Sequence, residues 1–217
     1  RVACQVAVEV GGYRMAWVGY AEDDEHKTVR PMAHAGTELG YLGLARVTWA
    51  DDDRGRGPVG AAIRTGRACP VQNILDDPRF EPWREEAAAR GYAAVCGLPL
   101  VSGERTFGAL GIYSSAPDAF DADEVALLSE LASDLAFGIA GLRTQEERNR
   151  AQQTLRHRQE MEHLIAAISS HFINLDPAET DDAITDALRR IGEFTGADRS
   201  YLFFFRDAGD LADLGRD

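Results

Sequence analysis

AAVCGLPLV (residues 93–101) and RTFGALGIY (105–113), separated by the polar residues 102–104, decide the fold. Two runs rich in branched and aromatic residues about a short turn read as an antiparallel hairpin. Working toward the N-terminus, Asp77 and Pro78 open a helix with Phe80, Trp83 and Ala87 on one face and Gly91 as its stop. Residues 68–72 are a brief strand, and residues 58–65 (PVGAAIRT) are a short helix with Pro first and Gly66 last. Residues 36–57 mix apolar, Gly and Asp residues, and a short helix is expected there. Residues 13–20 (YRMAWVGY) and 27–35 form a second hairpin around a charged turn, with Pro31 marking an edge strand or a bulge. Val2, Val6 and Val10 recur at helical spacing before Gly11 and Gly12 stop the first helix. Hairpins with helices filling one side predict an α+β sandwich around an antiparallel sheet.

Toward the C-terminus, residues 121–172 read as one nearly unbroken helix. Asp121 is an N-cap with Glu124 as its capping-box partner. Leu128, Leu131, Leu135, Ile139 and Leu142 form an apolar stripe, which nearly vanishes over residues 143–160 and returns with Met161, Leu164, Ile165, Ile168 and Phe172. No Pro or Gly interrupts it between Leu142 and Phe172. The pattern predicts a connecting helix that leaves one core, crosses water and enters another.

The formal net charge of -13 lies in clusters such as residues 22–25 and 51–53. Solvated acidic loops explain these runs, and such a surface argues against nucleic acid and anionic membrane as partners. No stretch reads as long and apolar enough to span a bilayer, and no signal peptide opens the chain. The sequence begins at Arg1 inside an apolar helical pattern, so it reads as a fragment of something longer. Cys4, Cys69 and Cys96 lack metal-ligand spacing and read as buried, reduced thiols of a cytoplasmic protein.

After Phe172, Asp176, Pro177 and Glu179 open another helix with Ile184, Leu188 and Ile191 as its stripe, Gly196 as its stop and residues 200–205 as a strand. A shift of 185 aligns Val6 with Ile191, Gly11 with Gly196, Arg14 with Arg199 and Trp17 with Leu202. One shift keeping helix, stop and strand in register reads as the start of a second copy.

Four segments carry a family likeness: GGYRMAWVGYAED, the stretch from GRGPVGAAIRTG to EEAAARGY, the hairpin with GLPL and FGALGIY, and FDADEVALLSELASDLAFGI. With them, residues 1–142 resemble a GAF domain, the PAS-related sensory module of bacterial signalling proteins. Residues 143–160 become a polar helical linker, and residues 161–217 resemble the truncated start of a second GAF domain. The resemblance implies an antiparallel sheet with helices on both faces: terminal helices on one, and a small-molecule pocket roofed by the intervening elements on the other. It further implies a parent such as a histidine kinase or a cyclic-di-nucleotide enzyme, whose output domain lies beyond this chain.

Family cofactors find weak footing. Asn73 and Phe80 match part of the cyclic-nucleotide pattern, but its Lys and closing Asp-Glu pair are missing. Cys4, Cys69 and Cys96 precede Gln, Pro and Gly, whereas bilin-attaching cysteines commonly precede His. Haem requires an axial ligand, for which His34 is the internal candidate, and a strand-end histidine is more often structural. No cofactor is therefore assigned. The expected ligand-binding residues are Trp49, Phe80, Trp83 and Tyr92, with His34 and Cys96, although aromatic residues at helical spacing are usually ordinary core. Without a nucleophile triad, paired catalytic carboxylates, a Walker loop or a kinase signature, a non-enzymatic sensor is expected. A ligand-free scaffold is the first alternative. Free methionine sulfoxide reduction through Cys69 and Cys96 is the second, although the cysteine spacing differs from that group's. Signalling is expected to run through a homodimer, with Leu128, Leu131, Leu135 and Leu142 on the helix face and Gln145, Asn149 and Gln152 as a polar seam.

Overall fold

Five strands form one antiparallel sheet: β1 (Met15–Ala21), β2 (Val29–Gly36), β3 (Cys69–Val71), β4 (Ala94–Ser102) and β5 (Arg105–Ser114), in the spatial order β2-β1-β5-β4-β3. The computed structural model describes residues 1–173 and 176–203. It divides into two compact units, Arg1–Thr144 and one beginning at Gln145.

Strand alternation gives the sheet two apolar faces, and both are covered. Ala94, Cys96, Leu98 and Leu100 of β4 meet α1 (Val2–Glu9) and the first turns of α5 (Ala122–Ile173). Val95 points the other way, into a core shared with α2 (Tyr41–Ala45), α3 (Pro58–Thr65) and α4 (Arg84–Ala89). Helices on one side only, as the strand pattern alone suggests, would leave one of these faces in water. Burying each large side chain contributes about 1.5–3 kcal/mol, so two apolar faces require two helical layers.

Pro31 lies on an edge strand beside a bulge: Val18 pairs with Ala33 but Gly19 with Pro31, leaving Met32 as the extra residue. Helix α3 has Pro58 in its first turn and Gly66 at φ 64° as its cap. The helix expected after Asp77 is a 3-10 turn, Pro78–Trp83, continued by α4. Pro82 has no amide proton to sustain an α-helical ladder, and the Asp77 carboxylate accepts from the Arg79 amide at 2.9 Å. Val2 and Val10 face outward, 73% and 81% exposed, while Cys4 and Ala7 bury the inner face of α1.

Asp121 caps α5, its carboxylate accepting from the Glu124 amide at 2.8 Å. The reciprocal half of the expected capping box is absent, because Glu124 instead accepts the Tyr13 hydroxyl. Tyr13 in turn stacks on Phe120 at 5.9 Å. The same helix contains a window of mean hydropathy 1.6, apolar enough in length and composition to cross a bilayer, contrary to the sequence expectation. Its Leu128, Ala132 and Ala136 pack on the sheet, whereas Leu127, Phe137 and Leu142 of the same stretch are exposed.

In the second unit, α5 stays helical although residues 145–160 are all exposed. Pairs four residues apart line this stretch: Gln145 donates to Asn149 at 3.1 Å, and Arg158 meets Glu162 at 3.1 Å. Helix α6 (Thr180–Thr195) ends at Gly196 with φ 68°, as its stop signal predicts. Asp176 caps the turn before it, accepting from the Ala178 amide at 3.0 Å. His157 stacks on Phe194 at 4.8 Å. Of the predicted strand 200–205, residues 200–203 form no strand, and Phe204 and Phe205 lie outside the described residues.

Candidate functional site

The roofed side of the sheet is packed with aromatic rings. Trp17 of β1 lies over Gly111, where a β-carbon would come within 2.5 Å of the indole nitrogen. Gly97 lets Pro58, at the start of α3, rest directly on β4, since a side chain there would collide with the Pro58 carbonyl. Tyr41, Tyr92 and Tyr113 cluster at centroid separations of 5.4, 5.7 and 4.7 Å. Phe80 joins Trp83 at 5.5 Å and Tyr113 at 6.5 Å. Two polar tips are aimed at backbone partners: Trp83 Nε1 donates to the Ala45 carbonyl at 2.6 Å, and the Tyr92 hydroxyl donates to the Thr37 carbonyl. Burial pushes the Tyr113 phenol up to about 12, with Tyr41 and Trp17 pulling the other way. The buried Trp17 nitrogen itself makes no hydrogen bond of normal geometry. Between Tyr41, Val59, Phe80, Trp83 and Tyr113 only about 10 Å³ remains open, at most the room of one water.

Space opens instead along the outer edge of β2. A groove of about 580 Å³ runs there, with Trp17, Val29 and Pro31 on its sheet side and Leu42, Arg46 and Val47 facing them. Its far wall is a short strand-like addition to β2: Val29 donates to the Val47 carbonyl at 3.0 Å, Trp49 donates to the Lys27 carbonyl at 2.8 Å, and Thr28 bridges Thr48. The loop beyond is fastened down. Asp52 accepts from the Thr48 hydroxyl at 2.9 Å and the Gly55 amide at 2.7 Å. Arg64 of α3 donates to the carbonyls of Ala50, at 2.7 Å, and of Gly55. A preformed wall of this kind is what a small-molecule site requires.

Of the residues expected to bind a ligand, Phe80, Trp83 and Tyr92 come together, in the filled cluster rather than in the groove. Trp49 packs beside it, its nitrogen donating to the Glu22 carbonyl at 2.8 Å and its ring beneath the Lys27 ammonium at 4.6 Å. His34 is exposed on β2, opposite Trp17 in register. Cys96 lies on the other face of the sheet, where burial pushes its thiol up to about 12. Cys69 pairs with Gly97, and Cys96 with Pro70, so alternation sends the two thiols to opposite faces. Arg79 donates to the Cys69 sulfur at 3.4 Å, but burial outweighs it and leaves that thiol raised. Among the described residues no group of His, Cys, Asp or Glu could hold a metal ion.

A contact that the sequence reading missed joins the sheet to the helix. The Arg143 guanidinium lies 4.1 Å over the Tyr20 ring and 4.8 Å over Phe107. Tyr20 and Phe107 meet edge to face at 5.9 Å. The signal was present: Arg143 follows Ile139 by four residues and so continues the inward stripe, with two aromatic rings to cover. Tyr20 sits three residues after Trp17 on β1, so this strand touches the groove on one face and grips the end of the packed helix on the other.

A model of the GAF domain matches residues 1–140. No curated protein matches the chain in sequence. Among solved structures, it is similar to a domain assigned to a two-component sensor histidine kinase protein of Sinorhizobium meliloti, with 21% identity, TM-score 0.55 and coverage of 68% of this chain and 93% of that one. It is similar to the GAF domain of a phosphoenolpyruvate-protein phosphotransferase of Coxiella burnetii, with 21% identity, TM-score 0.55 and coverage of 67% and 83%. It is also similar to the free methionine-R-sulfoxide reductase of Neisseria meningitidis, solved with its substrate, with 22% identity, TM-score 0.52 and coverage of 66% and 77%. At these identities the likeness is one of fold.

Proposed function

The chain belongs to the GAF domain family over residues 1–140, and on that premise we propose that it is a non-enzymatic sensory module of a bacterial signalling protein. It acts in the cytoplasm, senses a small molecule in the groove at β2, and relays the event through α5 to an output domain of the parent protein. One observation carries the reading: β1 reaches the groove through Trp17 and Arg143 through Tyr20. A change in the groove that shifts β1 alters where α5 leaves the domain. Shifts of packed helices between two arrangements are an established form of relay, provided the ligand binds them unequally.

The relay works in a homodimer whose helices meet through Leu142, Gln145, Asn149 and Gln152. Leu142 is 70% exposed, and the three polar residues follow it on the solvated helix. Residues 161–217 then begin a second GAF-like domain. Thermal-shift screening with purines, cyclic nucleotides and small aromatic compounds tests the sensor: a saturable rise in melting temperature is expected, because a ligand of the native state must stabilise it. A blank screen leaves the ligand-free scaffold. Light scattering tests the relay, and a monomer at high concentration contradicts it. Methionine sulfoxide reduction is the second reading, favoured by the likeness to the Neisseria enzyme; the opposite-face placement of Cys69 and Cys96 weighs against it. Activity lost in both Cys69→Ser and Cys96→Ser would revive it.

A further inference from the structure

Resting on the groove as the ligand site, we infer that its ligand is a small amphipathic monocarboxylate, its carboxylate on Arg46 and its apolar body against Trp17, Val29, Leu42 and Val47. Arg46 ends α2 in the left-handed region, φ 43° and ψ 52°, a conformation that favours glycine. At this position the chain carries a long cation instead. Arg46 is exposed, and among the described residues its guanidinium has no hydrogen-bond or ion-pair partner.

The other charges lining the groove are committed or distant. Arg54 donates to the Ala45 carbonyl at 2.8 Å, and Asp52 is held by Thr48 and Gly55. The Thr28–Thr48 bridge sets Arg46 level with Arg30 and leaves Glu25 and His26 at the opposite end. One free planar cation beside an apolar floor suits one carboxylate, which it can grip with two parallel hydrogen bonds. A doubly charged head would meet a single free guanidinium on a chain of net charge -13.

Calorimetric titration with 3-phenylpropionate, 3-phenylpropionamide and 2-phenylethyl phosphate tests this on the whole chain. The acid is expected to bind about tenfold or more tightly than the amide, the size of a charge-assisted hydrogen bond. Arg46→Gln removes that preference while amide binding persists. Arg46→Gly removes it too and raises the melting temperature, which separates lost recognition from lost folding. Equal binding of acid and amide, or a preference that survives both variants, overturns the carboxylate assignment and leaves the groove reading standing. Tighter binding of the phosphate also overturns it. If none of the three binds, the inference falls, whereas the groove reading falls only with a blank thermal-shift screen.

Discussion

On the face covered by α1 and α5 the sheet buries Leu98, Leu100, Leu110 and Ile112 against Ala132 and Ala136; on the roofed face it buries Trp17 and Tyr113 against Tyr41, Phe80, Trp83 and Tyr92. The aliphatic face is filled by side chains without polar atoms, and its directed contacts lie at the margins, Tyr13 to Glu124 and Arg143 over Tyr20 and Phe107. The aromatic face fixes its rings by the direction of their polar tips, as Trp83 to Ala45 and Tyr92 to Thr37 illustrate. In the proposed relay, a ligand would sit at the margin of the roofed face, where the groove leaves room, and its consequence would be read on the aliphatic one.

The largest test of this contrast is Trp83→Ala. Losing a buried indole and its hydrogen bond is expected to cost about 3–5 kcal/mol in urea unfolding. Ala136→Gly on the other face should cost about 1 kcal/mol, the helix-propensity difference. Comparable losses would erase the distinction between the faces. Gly97→Ala comes next. Its new methyl meets backbone rather than a flexible side chain, and a loss of about 1–3 kcal/mol is expected.

The two faces also share an alkaline limit. Burial raises Cys96 and Tyr113 each to about 12, above the usual values of 9.0 and 10.0. Raised pKa values favour the protonated native state, so this stability is fully present below about pH 9 and is lost as pH rises toward 12. Melting temperatures should fall over that window, and Cys96→Ala should flatten its lower part. A profile unaffected by the substitution would mean that Cys96 ionises freely in the folded chain.

Much of this architecture was legible because its signals are local. Pro58 and Gly66 bracket α3, Asp121 caps α5, and Pro31 marked its edge strand and bulge. What depends on distant partners was hidden. The groove exists because residues 47–49 pair with 27–29, and no periodicity announces that bridge. Glu124 fitted a capping box until Tyr13, 111 residues away, supplied a donor. Strand parity could have separated Cys96 from Phe80, because Val95 and Cys96 must face opposite ways. Arg143 was read as the first residue of the linker, since charge was weighed above its place on the stripe.

The smallest expected energetic effect bears on the central claim. Arg143→Ala removes a partly exposed guanidinium from over two rings and should cost about 0.5–1 kcal/mol, yet it takes away the contact that joins Tyr20 of β1 to the end of the packed part of α5. Hydrogen exchange along α5, with and without a saturating groove ligand, is the direct measurement. In the natural chain, ligand is expected to change exchange both at residues 17–29 and at residues 140–152, and in Arg143→Ala only at the first. Protection confined to residues 17–29 in the natural chain would contradict the relay.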